Sequence, residues 1–110
     1  MSDLSGQECI PCSGAIPPLG PEEQHSLLEE LGNGWQLVEH HHLEKQWDFD
    51  DFAHALAFTN KVGALAEQVG HHPDILTAWG KVVITIFTHK IDGLTDSDFI
   101  LAAKLDELQT

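Results

Sequence analysis

Arginine is missing from the 110 residues, and only five lysines stand against 18 aspartates and glutamates. A net charge of -13 leaves no basic face for a phosphate backbone, and without a guanidinium fork the bases and phosphates lose their usual planar partner. Direct binding to nucleic acid is therefore excluded, and an anionic membrane surface is disfavoured for the same reason. Long apolar runs are missing too, since nothing approaches the ~20 residues of a spanning helix. The opening Met-Ser-Asp-Leu-Ser-Gly-Gln-Glu has neither a basic region nor an apolar segment, so no signal peptide is expected and the expected location is the cytoplasm. Cysteine is scarce. Cys9 and Cys12 form a single Cys-x-x-Cys with no second pair to complete a structural zinc site. The pair lies in a Gly/Pro-rich stretch, not at the strand-to-helix junction that thioredoxin-like chemistry needs, so two reduced thiols in a loose tail are expected.

What is present is a chain of single-domain length with 42% hydrophobic residues, too many for a disordered acidic polymer. A domain of this size buries roughly two thirds of its unfolded surface, enough for one core. Residues 1–20, with Pro11, Pro17, Pro18, Gly6, Gly14 and Gly20, read as a flexible N-terminal arm, and 21–110 as the domain. Pro21 with Glu22 and Glu23 opens a helix near 21–31, carried by Leu27, Leu28 and Leu31 and stopped at Gly32-Asn33-Gly34. Trp35–Val38 and Leu43–Phe49 read as a hairpin. A second helix, about 50–69, carries Phe52, Ala55, Leu56, Thr59, Val62, Gly63, Ala66 and Val69 at helical spacing, with Gly70 as the stop. Phe58 and Leu65 lie off that stripe, which predicts a second buried face, as in an oligomer. Ile75–Trp79 and the β-branched Val82–Thr88 predict two more strands, and Thr95-Asp96-Ser97-Asp98 starts a C-terminal helix. The order is helix, two strands, helix, two strands, helix, which predicts an α+β domain with an antiparallel four-stranded sheet and three helices on one face.

Eight histidines in so acidic a chain need an explanation. Glu67, His71, His72, Pro73, Trp79, His89 and Asp98 form the informative set. Taken singly each has an ordinary structural account: Asp98 is the third residue of a capping box, and Trp79 in a strand is commonly core. Together they concentrate at element ends, where a rigid scaffold presents side chains to a pocket. Pro73 holds His72 in extended geometry. Strand alternation puts His89 with Val83, Thr85 and Phe87. Three imidazoles on one cleft, each able to accept or donate a proton near neutrality, suit general acid–base catalysis. A three-His zinc site is the competing chemistry, but no His-x-His or His-Glu-x-x-His spacing supports it. His40-His41-His42 falls in the hairpin, where a solvated turn is expected and metal binding is the alternative. His25 and His54 fall on helices, and a surface place is expected for His54.

The run Glu67-x3-His71-His72-Pro73-x5-Trp79-x9-His89-x8-Asp98 resembles the signature of the pterin-4a-carbinolamine dehydratases, and Gly80-Lys81-Val82 through His89 and Gly93-Leu94 through Ala102 also fit. The resemblance covers about residues 22–108, and the N-terminal arm resembles that of bacterial members. It implies dehydration of 4a-hydroxytetrahydropterin, the product of aromatic amino acid hydroxylases, to quinonoid dihydropterin without metal or organic cofactor. His71 and His89 would be the acid–base pair. His72 would hold the pterin and share in proton transfer, and Asp98 would orient or charge-couple a histidine, with His89 the suggested one. Glu67 would line the pterin site, Pro73 would belong to it, and Thr88 and its neighbours would offer backbone hydrogen bonds to the pterin ring. A homodimer or homotetramer is implied, and a hydroxylase is the implied partner. The competing class is a non-catalytic pterin-fold binding or regulatory module.

Overall fold

The computed structural model describes residues 19–108. Cys9, Cys12 and nearly all of the expected arm lie outside the described residues. Leu19, at the arm's end, donates its N–H to Leu94 O at 2.8 Å and packs on the core.

Helix α1 (Pro21–Leu31) begins at the proline, with Gly20 N–H donating to Glu23 Oε1, and Gly32 N–H closes it on Leu28 O at 2.9 Å. Strands β1 (Gln36–Val38) and β2 (His42–Asp48) follow, then α2 (Phe52–Val69), β3 (Asp74–Ala78), β4 (Lys81–Ile86) and α3 (Asp96–Asp106). The strands form one antiparallel sheet in the order β1-β2-β4-β3. The expected α+β class and element order are those observed.

Alternation along the strands decides which face is dry. Leu43, Val82, Ile84 and Ile86 are fully buried under the helices, while Glu44, Gln46, Val83 and Thr85 sit on the opposite face. Helix α3 lies between α1, α2 and β2 and is buried almost all round, from Ser97 to Ala103 and at Leu105. A helix so enclosed reads apolar on every side, and this one carries a carboxylate, Asp98, into the interior.

Two expectations change. The buried face of α2 is Ala55, Phe58, Val62 and Ala66, so Phe58 is core and Leu65 packs against it. Phe52 and Leu56, assigned to the core stripe, are exposed instead. Steps of three and four run from both Phe52 and Ala55, and the apolar arc of α2 is wider than the arc the sheet covers. Trp79 lies past the end of β3 in the turn to β4 and is 73% exposed, so it is no core residue.

The topology places three segments at one end of the sheet. β3 begins and β4 finishes there, with Asp74 opposite Thr85. The α2–β3 junction and the residues after β4 are therefore neighbours, and a bridge from Thr88 to Gly93 folds the chain back to the start of α3.

Candidate active site

Gly70 ends α2 in the left-handed region at φ 73, its N–H on Ala66 O at 2.9 Å. That turn delivers His71 to the first turn of α3, where its Nε2–H donates to Asp98 Oδ1 at 2.6 Å. The His71 side chain is 11% exposed and that of Asp98 is 0%. The second carboxylate oxygen accepts the Thr95 N–H and the Thr88 hydroxyl, both at 2.8 Å. The Thr95 hydroxyl lies 3.1 Å from that of Thr88. Asp98 is thus the capping-box acid the sequence predicts, and also the partner of a histidine 27 residues away. A buried carboxylate needs such partners, because an uncompensated charge costs far more than the hydrogen bonds that satisfy it.

This arrangement selects one tautomer. With Nε2–H committed to the carboxylate, neutral His71 keeps its Nδ1 lone pair free, and the cationic ring carries a proton there. His71 can then accept or deliver a proton at Nδ1 without moving.

The other two imidazoles have separate carboxylates. His72 Nε2 bonds Glu67 Oε2, both side chains being exposed. His89 Nε2 lies 3.5 Å from Asp74 Oδ1, also in an exposed pair. Asp98 therefore pairs with His71 and not with His89. The reason is strand alternation: Thr88 turns inward to Asp98, and His89 turns outward beside Phe87, their ring centroids 4.1 Å apart. Pro73, between His72 and Asp74, lies immediately before β3 and restricts His72 to extended geometry.

The signature residues fall in two layers around the sheet end. His71, Thr88 and Asp98 form the dry layer, joined by hydrogen bonds, while His72, Glu67, His89 and Asp74 form an accessible rim. Two participants were not singled out from the sequence. Thr95 was legible only as a helix cap. Asp74, directly after Pro73, carried no signal until β3 and β4 were paired. Among the described residues no group of three or more His, Cys, Asp or Glu side chains is arranged to hold a metal ion. No helix among them is long and apolar enough to cross a membrane.

A family model described as pterin 4 alpha carbinolamine dehydratase matches residues 17–108. A protein of Rubrobacter xylanophilus, provisionally named a pterin-4-alpha-carbinolamine dehydratase, is 54% identical over 98% of this chain and 100% of its own. The crystal structure of a Brucella melitensis protein, described as a transcriptional coactivator/pterin dehydratase, superposes with a TM-score of 0.73 at 31% identity, covering 81% of this chain and 95% of the other. A pterin dehydratase-like protein identified as a RuBisCO assembly factor in the α-carboxysome superposes with a TM-score of 0.57 at 26% identity, covering 69% of this chain and 89% of the other.

Proposed function

The chain belongs to the pterin-4-alpha-carbinolamine dehydratase family, and from that premise we propose that it dehydrates 4a-hydroxytetrahydropterin to quinonoid dihydropterin by histidine acid–base catalysis. The reaction removes the N5 proton, expels the 4a-hydroxyl and protonates it as water. One group must take a proton and another must give one, on either side of a flat bicyclic ring. The observation that supports this reading is the buried Asp98 holding His71 at 2.6 Å, with the ring's other nitrogen left free. A binding module has no need to spend a desolvated carboxylate on fixing an imidazole tautomer.

In this mechanism His71 exchanges a proton through Nδ1, and His89, on the accessible side of the sheet end, carries the complementary proton. His72, fixed by Pro73, orients the pterin with a share in proton transfer, and Glu67 lines the site, while Thr88, buried and with its backbone N–H already on Gly93 O, holds Asp98 and is not free to bond the ring. No cofactor enters the chemistry. Each acid–base group contributes ~10²–10⁴-fold. The setting is the cytoplasm, and the pathway is the recycling of a hydroxylase's pterin cofactor. The exposed Phe52 and Leu56 on α2 are the surface we assign to a homodimer or homotetramer.

The second reading is a non-catalytic regulatory or assembly module. It is favoured by the two solved neighbours, one described as a coactivator as well as a dehydratase and the other as an assembly factor. Stopped-flow measurement of carbinolamine loss separates the two. Acceleration by the wild-type chain that disappears in the double variant His71→Ala/His89→Ala is the expected result. A double variant as fast as wild type sinks the catalytic assignment.

A further inference from the structure

The acid–base reading leaves His89 without an anchor. Among the described residues the polar contact of its ring, 3.5 Å to an exposed Asp74, is too long to fix a ring direction. What does bear on the ring is Phe87, with centroids 4.1 Å apart and planes at 39°. Phe87 also meets His41, with centroids 4.6 Å apart. His41 has partners in turn: its Nε2–H donates to the exposed Asp92 Oδ1 at 2.6 Å, and its Nδ1 lies 3.1 Å from His42 Nδ1.

Both supports of His41 stand on backbone that ordinary residues avoid. Asp92 has φ 51, and the turn before His41 has Glu39 at φ 53 and His40 at φ 56. Such conformations persist only where the surroundings over-determine them. Here buried Gln24 of α1 clamps His40, donating from Nε2 to His40 O at 2.9 Å and meeting His40 Nδ1 through Oε1 at 3.1 Å. A continuous line of support runs from α1 through the β1–β2 turn and Phe87 to His89.

Resting on the acid–base role of His89 proposed above, we infer that Phe87 and His41, the latter fixed by Asp92, are positioning residues that hold the His89 imidazole in its working direction. Holding the ring in advance removes orientational freedom that would otherwise be lost at the transition state, where a misplacement of ~1 Å costs up to ~10²-fold. His41 and His42, which the family signature does not use, thereby acquire a task.

The test uses the full chain. Imidazole NMR signals of His89, assigned by their loss in His89→Ala, are compared in wild type, Phe87→Leu, Phe87→Tyr and His41→Ala, alongside stopped-flow turnover of 4a-hydroxytetrahydropterin. Phe87→Leu should move the His89 signals and lower kcat about tenfold with KM unchanged, within the range that misplacement allows. Phe87→Tyr keeps the ring and should recover most of both, and His41→Ala should give the same changes at smaller size. Methyl signals of Ile84 report whether the core is intact, and if Phe87→Leu does not fold, His41→Ala in its surface turn decides. His89 signals that stay put in the folded variants overturn the inference whatever the activity. Signals that move while kcat stays at the wild-type value overturn it as well. A wild-type chain with no dehydration overturns the functional reading instead, and the His89 signals still decide whether the stack holds the ring.

Discussion

The starts of α2 and α3 carry the same pair of residues and use it in opposite ways. At α2, Asp51 caps the helix and accepts both the backbone N–H of His54 at 2.8 Å and its ring Nδ1–H at 2.7 Å, all through Oδ1. At α3, Asp98 accepts the Thr95 N–H through one oxygen and His71 through the other. The bond lengths are nearly equal, but the His54 and Asp51 side chains are 70% and 51% exposed, against 11% and 0% for His71 and Asp98. Water screens the first pair and sequence neighbours supply it, so it is worth little beyond the cap. The second is assembled by the α2–β3 junction, the end of β4 and α3, and its carboxylate has no water to fall back on. Burial, not residue type, separates the screened pair at one helix start from the desolvated pair at the other.

The largest expected effect breaks the α3 pair at the histidine. His71→Ala should lower kcat by ~10²–10⁴-fold in the stopped-flow assay, while the matching change His54→Ala leaves turnover at the wild-type value. Next comes the carboxylate. Asp98→Ala leaves the Thr95 N–H without its acceptor and His71 without its carboxylate, and urea unfolding should show a loss of roughly 3–5 kcal/mol, the usual cost of removing one partner from a buried pair. His72→Ala, on the accessible rim, should raise KM and lower kcat together, since the proposed mechanism asks that ring both to hold the pterin and to share in proton transfer.

The smallest effect sits at Asp51. The His54 backbone N–H, and after it the His54 ring, hold the Asp51 carboxyl below the ordinary carboxylate range. A group whose folded pKa is depressed adds stability above its unfolded pKa and loses it as pH falls through the folded one. Melting temperatures of wild type and Asp51→Ala should therefore differ slightly near neutrality and converge as pH drops below the carboxylate range. A gap that widens in acid reverses the sign of this account.

Much of the fold was legible because its signals are local. Pro21, Gly32 and Gly70 mark helix ends through backbone geometry that needs no partner, and the alternation of Val82, Ile84 and Ile86 names the dry face of β4. The face of α2 was misjudged at Phe58 for a physical reason. Apolar spacing says which residues could be buried together, but the width of the sheet beneath decides which of them are. The candidate site divides the same way. His71, His72, His89 and Asp98 were recognisable by type and spacing, while the pairing of Asp98 with His71, and the contribution of Asp74, depended on which strand face and which helix end came to meet them.

From its sequence alone this protein is committed to an acidic α+β domain with no basic face and with His71, His72 and His89 at element ends. Those properties follow from charge, backbone preference and periodicity, which act over a few residues. Only the folded chain gives His71, His72 and His89 their carboxylates, makes one of these three pairs dry and leaves two wet, and brings Phe87 against both His41 and His89. The dry pair joins residues 27 apart in the chain, and its strength depends on the exclusion of water, a property that no single stretch of sequence possesses.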